Sequence, residues 1–130
     1  MVYGGPQVLN INLDETRGIV VLEPAGRLSE ADFHAAAGII DPYLRNPGAL
    51  AGIVIHVEDF PGWDSFSALV AHLKFVREHH RDVSRVAFAT DSPVGSAAEK
   101  VARHFVNAEI KHFGFVELEA AKDWIYESTL

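Results

Sequence analysis

Hydrophobic and polar positions alternate along residues 7–13, which is the pattern of a strand with one buried face. The polar segment 14–18 then predicts a hairpin loop. A continuous apolar run over 19–22 follows, and it indicates a return strand that is buried on both faces. Three later segments also have strand character, at 52–58, at 85–90 and at about 108–113. The pattern therefore predicts five strands.

Amphipathic segments of helical period follow four of these five strands. The first begins near a capping sequence at Ser29, and the third begins at Ser92, a predicted N-cap, with Pro93 in the first helical position. The last places Leu118, Ala121 and Ile125 on one face. The order is strand, strand, helix, then three strand–helix repeats. This order predicts an α/β fold with a mostly parallel five-stranded sheet, one antiparallel N-terminal strand and about four helices.

Composition narrows the classes of protein that fit this pattern. A chain of 130 residues with 48% hydrophobic side chains buries one core, so we expect a single domain over residues 1–130. The net charge of −7 opposes a nucleic-acid role, because phosphate binding needs clustered Lys and Arg. The first residues lack a signal-peptide pattern, and no apolar stretch reaches the roughly 20 residues of a membrane span. We expect a cytoplasmic protein.

The most promising candidate site follows the third predicted strand. Loops that lead from a buried strand into a helix are where α/β domains usually place their sites. This loop is acidic and aromatic, and a second acidic loop follows the fourth strand. The candidate ligand- or partner-binding residues of the two loops are Asp59, Phe60, Trp63, Asp64, Ser65, Asp91 and Ser92.

The aromatic side chains of the first loop have two interpretations. Phe60, Trp63 and Phe66 lie within seven residues around Pro61, so a short loop does not bury all of them. An exposed aromatic patch marks a ligand lid, a partner surface or a membrane contact. In the alternative interpretation, Trp63 packs down on the end of the sheet and closes the core.

Catalytic and metal-binding patterns are weak in this sequence. It has no cysteine, no His-Glu-x-x-His motif, no Gly-x-Ser-x-Gly elbow and no phosphate-binding glycine loop within a strand–helix unit. His79 and His80 are adjacent and diverge on a helix, so they chelate poorly. His56 interrupts an apolar strand, and we expect its neutral ring to be held by a carboxylate across the sheet, with a ligand or general base as the alternative. We predict no enzyme activity, no metal and no cofactor.

Several segments together resemble the SpoIIAA-like family of the STAS domain superfamily. One is the strand that ends in Gly26-Arg27-Leu28-Ser29, and another is the loop that holds Asp64-Ser65. The C-terminal half is the stronger match, through residues 85–91, 109–113 and 119–125. The resemblance spans about residues 7–127 and implies the fold described above.

The resemblance also implies a hypothesis for Ser65. STAS antagonists of anti-sigma factors carry a phosphorylatable serine at a helix start after this strand, normally in Asp-Ser-Ser-Gly or Asp-Ser-x-Gly. Here the sequence reads Asp64-Ser65-Phe66-Ser67, so Phe66 and Ser67 stand where the motif has a small residue and glycine. Ser65 is therefore the candidate phosphorylation site, and the alternative is that Asp64 or Ser65 caps the helix.

The sequence thus favours a non-catalytic STAS-like binding or regulatory module that works at the C-terminal ends of the strands. The alternative is a carrier or sensor of a hydrophobic, lipid-like small molecule with transient membrane association, because the STAS architecture is similar to that of CRAL-TRIO lipid carriers. The expected partners are a protein or a small hydrophobic ligand, and a homodimer and a peripheral membrane contact are further options. A partner-regulated switch would respond to Ser65→Asp, whereas a carrier would retain lipid.

Overall fold

A computed structural model describes residues 9–24, 51–59, 83–93, 99 and 108–130. The described elements are five strands and one helix, apart from a single helical residue at position 99. They are β1 (Leu9–Asp14), β2 (Ile19–Pro24), β3 (Gly52–His56), β4 (Arg85–Ala89), β5 (Glu109–Phe113) and helix α1 (Leu118–Glu127). All five predicted strands are present, although residues 7 and 8 of the first lie outside the described residues.

The strands form one sheet in the order β1-β2-β3-β4-β5. β1 and β2 are antiparallel, and the pairs β2–β3, β3–β4 and β4–β5 are parallel. The prediction of a mostly parallel sheet with one antiparallel N-terminal strand is therefore confirmed. Because β2 to β5 run in the same direction, the segments that follow them emerge at the same edge of the sheet.

The hairpin between β1 and β2 has the tight turn that its polar sequence predicts. Gly18 adopts a positive φ of 69°, a conformation that glycine takes without a steric penalty. Arg17 donates from Nε to Asp14 Oδ2 at 2.8 Å and from its backbone N to Asp14 Oδ1 at 3.2 Å. Burial raises the pKa of Asp14, but these hydrogen bonds and the charge of Arg17 outweigh it, so that the pKa lies below the ordinary 3.8.

The core lies on both faces of the three central strands. The side chains of β2 from Ile19 to Leu22 are at most 1% exposed, which confirms a strand buried on both faces. Helix α1 covers one face, because its apolar residues recur at helical spacing. The cluster on that face consists of Ile19, Val21, Val54, Ala87, Ala89, Ala121 and Ile125.

The predicted last helix is confirmed as α1. The other three predicted helices lie largely outside the described residues, although Glu99, within the third of them, is helical. Helix α1 begins near the end of β5 and runs back across the sheet, so that Ile125 packs against Gly52 at the start of β3. The residues that connect β5 to α1 are thereby placed beside the ends of β3 and β4.

Candidate functional site

Three segments come together where the parallel strands end. They are residues 57–59 after β3, residues 90–93 after β4 and residues 114–117 between β5 and α1. We call them the strand-end surface. Hydrogen bonds of the backbone continue beyond the strands here, from Val57 N to Ala89 O at 3.2 Å and from Thr90 N to Phe113 O at 2.9 Å. The segments are therefore fastened to the sheet as well as adjacent to it.

Two candidate residues from different loops are in direct contact. The hydroxyl of Ser92 donates to Asp59 Oδ1 at 3.1 Å, although the two residues are 33 positions apart. Asp59 and the neighbouring Asp91 are exposed, and Ser92 is partly buried. The structure thus brings together Asp59, Asp91 and Ser92, which the sequence placed on two successive strand-end loops.

Thr90 holds these two loops in place from below. Its side chain is fully buried, and its hydroxyl donates to Glu58 O at 3.0 Å and accepts from Ser92 N at 3.2 Å. Glu58 O also accepts from Asp91 N at 3.1 Å. Because the backbone of each loop is bonded to the other, the exposed carboxylates project from a fixed support.

The third segment joins the surface through Asp91. Its Oδ1 accepts from the backbone N of Phe115 at 3.1 Å. Glu117 folds back over the same turn and accepts from Gly114 N at 2.7 Å. Val116 lies between Phe115 and Glu117 in the chain and is 90% exposed, so this segment adds an apolar side chain beside the exposed acids. Residues 114–117 were not predicted from the sequence to be part of the site.

His56 lies beneath the third segment at the end of β3. Its Nδ1 is 2.7 Å from Glu23 Oε2 on β2, and its Nε2 is 2.9 Å from Phe115 O. The imidazole also stacks on the Phe115 ring with centroids 4.4 Å apart and planes at 9°. The expected carboxylate across the sheet is confirmed as Glu23. Both ring nitrogens are therefore engaged in hydrogen bonds.

Four candidate residues lie outside the described residues. They are Phe60, Trp63, Asp64 and Ser65. The lid formed by the aromatic loop and the phosphorylation of Ser65 therefore stay predictions. Of the predicted site, Asp59, Asp91 and Ser92 are described.

Neither a metal site nor a membrane-spanning helix is found among the described residues. Among them, no group of three or more His, Asp or Glu side chains is placed to hold a metal ion. The described part of the chain contains no helix with the length and apolar character of a membrane span.

Comparisons with known proteins agree with this architecture. Among curated proteins, no significant match to the sequence is found. A solved structure from Shewanella loihica PV-4, described as an uncharacterized protein from the DUF3478 family with a SpoIIAA-like fold, is 18% identical. The match covers 96% of this chain and 99% of that chain with a TM-score of 0.59, which shows a shared fold. The family model described as SpoIIAA-like matches residues 19–126. Because that match includes most of the chain and all strands from β2 onward, the chain belongs to the SpoIIAA-like family.

Proposed function

We propose that this protein is a non-catalytic binding or regulatory module that binds a basic protein partner at the strand-end surface. The SpoIIAA-like fold supports a regulatory or binding module in general. The observation that carries the more specific proposal is the set of hydrogen bonds that ties the three segments of the surface together. They connect Ser92 to Asp59, Thr90 to Glu58 and Phe115 to Asp91.

These contacts favour binding because they fix the surface before a partner arrives. Ordering a loop on binding costs free energy, so a surface that is already ordered retains more of the interaction energy as affinity. The carboxylates of Glu58, Asp59 and Asp91 remain exposed on this support, as does Val116. Acidic groups around an exposed apolar side chain favour a partner with Lys or Arg around a small apolar contact.

A binding role is also supported by the state of the nearest titratable groups. His56 uses one ring nitrogen for Glu23 and the other for Phe115 O. Ser92 donates its hydroxyl to the Asp59 carboxylate. These polar groups serve to hold the surface.

The proposal can be tested with a variant that changes charge but keeps the hydrogen bonds. In Asp59→Asn/Asp91→Asn, each amide oxygen still accepts from Ser92 Oγ or Phe115 N, while two negative charges are lost. The matched control is Glu109→Gln/Glu127→Gln, which removes the same charge at the opposite edge of the sheet. Glu109 and Glu127 are 70% and 66% exposed. Both variants should retain the wild-type fold by circular dichroism.

Wild type and both variants would be used for quantitative affinity purification from the source organism. A partner so identified would then be purified and titrated by calorimetry. We expect the strand-end variant to bind it about tenfold more weakly, or about 1.4 kcal/mol, and the control to bind like wild type. Equal affinity of the two variants would refute the proposed surface. A hydrophobic molecule retained in native mass spectra, with no protein partner, would support the carrier hypothesis instead.

A further inference from the structure

The imidazole of His56 lies between two oxygen atoms. When Glu23 is ionised, both oxygens can accept hydrogen bonds but neither can donate one. One is Glu23 Oε2, 2.7 Å from Nδ1, and the other is Phe115 O, 2.9 Å from Nε2. A neutral imidazole has one N–H and therefore donates once. With an ionised Glu23 and a neutral ring, one of the two contacts would place a nitrogen lone pair against an oxygen lone pair.

The observed arrangement therefore requires one more proton than that state holds. The proton is either on the ring, as an imidazolium beside a carboxylate, or on Glu23, with the ring keeping its proton at Nε2. The second oxygen of Glu23 accepts from Asn12 Nδ2 at 2.9 Å. A carboxylate that accepts on both oxygens is satisfied in its ionised form, which favours the imidazolium. In either case Nε2–H donates to Phe115 O.

This hydrogen bond holds the segment 114–117 from one side. On the other side, Phe115 N donates to Asp91 Oδ1 at 3.1 Å. Phe115 is thus fastened through its carbonyl oxygen to β3 and through its amide to the loop after β4. The exposed Val116 follows it directly, so its position depends on both attachments.

We propose that the proton shared by His56 and Glu23 holds residues 114–117 against the strand-end surface, and that loss of this proton releases them. We call the arrangement in which His56 Nε2–H donates to Phe115 O the clasp. Among the described residues, the charged group that faces the ring is Glu23 on β2; β1 contributes Asn12 to the other oxygen of Glu23, and the connecting segment contributes the uncharged Phe115. The clasped state binds one proton more than the released state. Low pH therefore favours the clasp, and the clasp is lost as the pH rises. Partner binding would follow the same dependence, a consequence that rests on the proposed function.

The variant Glu23→Gln separates the role of the proton from the role of the contacts. Its amide oxygen can accept from Asn12 Nδ2, and its amide nitrogen can donate to Nδ1 of a neutral ring. That tautomer keeps its proton on Nε2 and still donates to Phe115 O. We therefore expect Glu23→Gln to keep the clasp and to lose its pH dependence. His56→Gln should weaken the clasp at every pH.

The test is NMR spectroscopy of the ¹⁵N-labelled protein alone, from about pH 5 to about pH 8, where histidines commonly exchange their proton. We expect the His56 ring nitrogens to show two protonated signals at low pH and one at high pH. The amide signals of Phe115 and Val116 should shift with the same midpoint. Amide exchange at Phe115, corrected for its intrinsic pH dependence, should rise about tenfold when the clasp opens, the factor expected for loss of one charge-assisted hydrogen bond.

His112→Gln is the matched control, because its ring bonds Thr90 O at the same edge of the sheet. This variant should retain the response of Phe115 and Val116. The clasp is refuted if His56 has a single protonated nitrogen throughout, if the two amides do not titrate with it, or if Glu23→Gln titrates like wild type. Because these measurements need no partner, the clasp can fail while Asp59→Asn/Asp91→Asn still weakens binding. Equally, the clasp can titrate as expected while that variant binds normally, which would refute the proposed function alone.

Discussion

Replacing Gly52 with alanine should destabilise the fold, because Gly52 is the point where α1 lies closest to the sheet. A Cβ at this position would lie 2.6 Å from the carbonyl oxygen of Arg85 on β4. It would also overlap Cγ2 of Ile125 and lie 3.1 Å from its Cδ1. Ile125 is fully buried, and Gly52 pairs with Arg85 in the parallel ladder. Neither neighbour can move without disturbing the core or the strand pairing.

The expected magnitude follows from opposing contributions. Alanine reduces the conformational entropy of the unfolded chain, which stabilises the fold by about 0.4–1 kcal/mol. Burial of one methyl group contributes about 0.8 kcal/mol more. Both gains require a site with room for the methyl group. Since one obstacle is backbone and the other is a packed side chain, α1 or Ile125 must shift, and overpacking of this kind typically destabilises by about 1–3 kcal/mol.

Urea unfolding followed by circular dichroism measures this difference. We expect Gly52→Ala to lower the unfolding free energy by about 1–3 kcal/mol without a change in the m value. Gly114→Ala is the matched control, because its Cβ would lie 3.1 Å from Glu117 Oε1, the movable end of a side chain. That variant should stay within about 0.5 kcal/mol of wild type. If Gly52→Ala were as stable as Gly114→Ala, the close packing of α1 on β3 would be wrong.

Two further predictions concern hydrogen bonds at opposite edges of the sheet. Arg17→Met should lower stability by about 0.5–1 kcal/mol at neutral pH. Because the pKa of Asp14 is lowered, its interaction with Arg17 stabilises the fold fully above the ordinary value of 3.8, and this stabilisation is lost as the pH falls through the lower pKa. Urea titrations should therefore show a smaller difference in unfolding free energy between Arg17→Met and wild type in acid. Thr90→Val should lower the unfolding free energy by about 1–3 kcal/mol. It should also increase amide exchange at Ser92, because the backbone N–H of Ser92 loses the Thr90 hydroxyl as its acceptor. Unchanged exchange would show that Thr90 does not support Glu58 and Ser92.

The predictable part of the site follows from chain direction. Asp59 and Asp91 each come shortly after an apolar run, and parallel strands end at one edge of a sheet, so the sequence placed both acids on the same surface. The hydrogen bond from Ser92 to Asp59 was beyond such reasoning, because it depends on the rotamers and heights of two loops. The segment around Phe115 also follows a parallel strand, so chain direction places it at the same end of the sheet, but its contacts with His56 and Asp91 depend on tertiary packing.

The surroundings of His56 were likewise predictable from the sequence only in part. A histidine that interrupts an apolar strand indicates a polar partner, and the expectation of a carboxylate across the sheet was correct. Glu23 could have been identified as this partner from its position at the end of the neighbouring apolar run. It comes one residue after Leu22, which pairs with Ile55, the residue before His56. The requirement for an additional proton depends on Phe115 O as well, which is 59 positions away along the chain.

The sequence by itself determined the five strands, the hairpin, helix α1 and the mostly parallel sheet. Local periodicity and turn chemistry act between neighbouring residues, so they are readable along the chain. The tertiary structure alone decided which atoms meet across those elements: Glu23 with His56, Ser92 with Asp59, Asp91 with Phe115, and Ile125 with Gly52. These contacts depend on strand order, register and helix position, which are set by packing of the whole core rather than by any one segment.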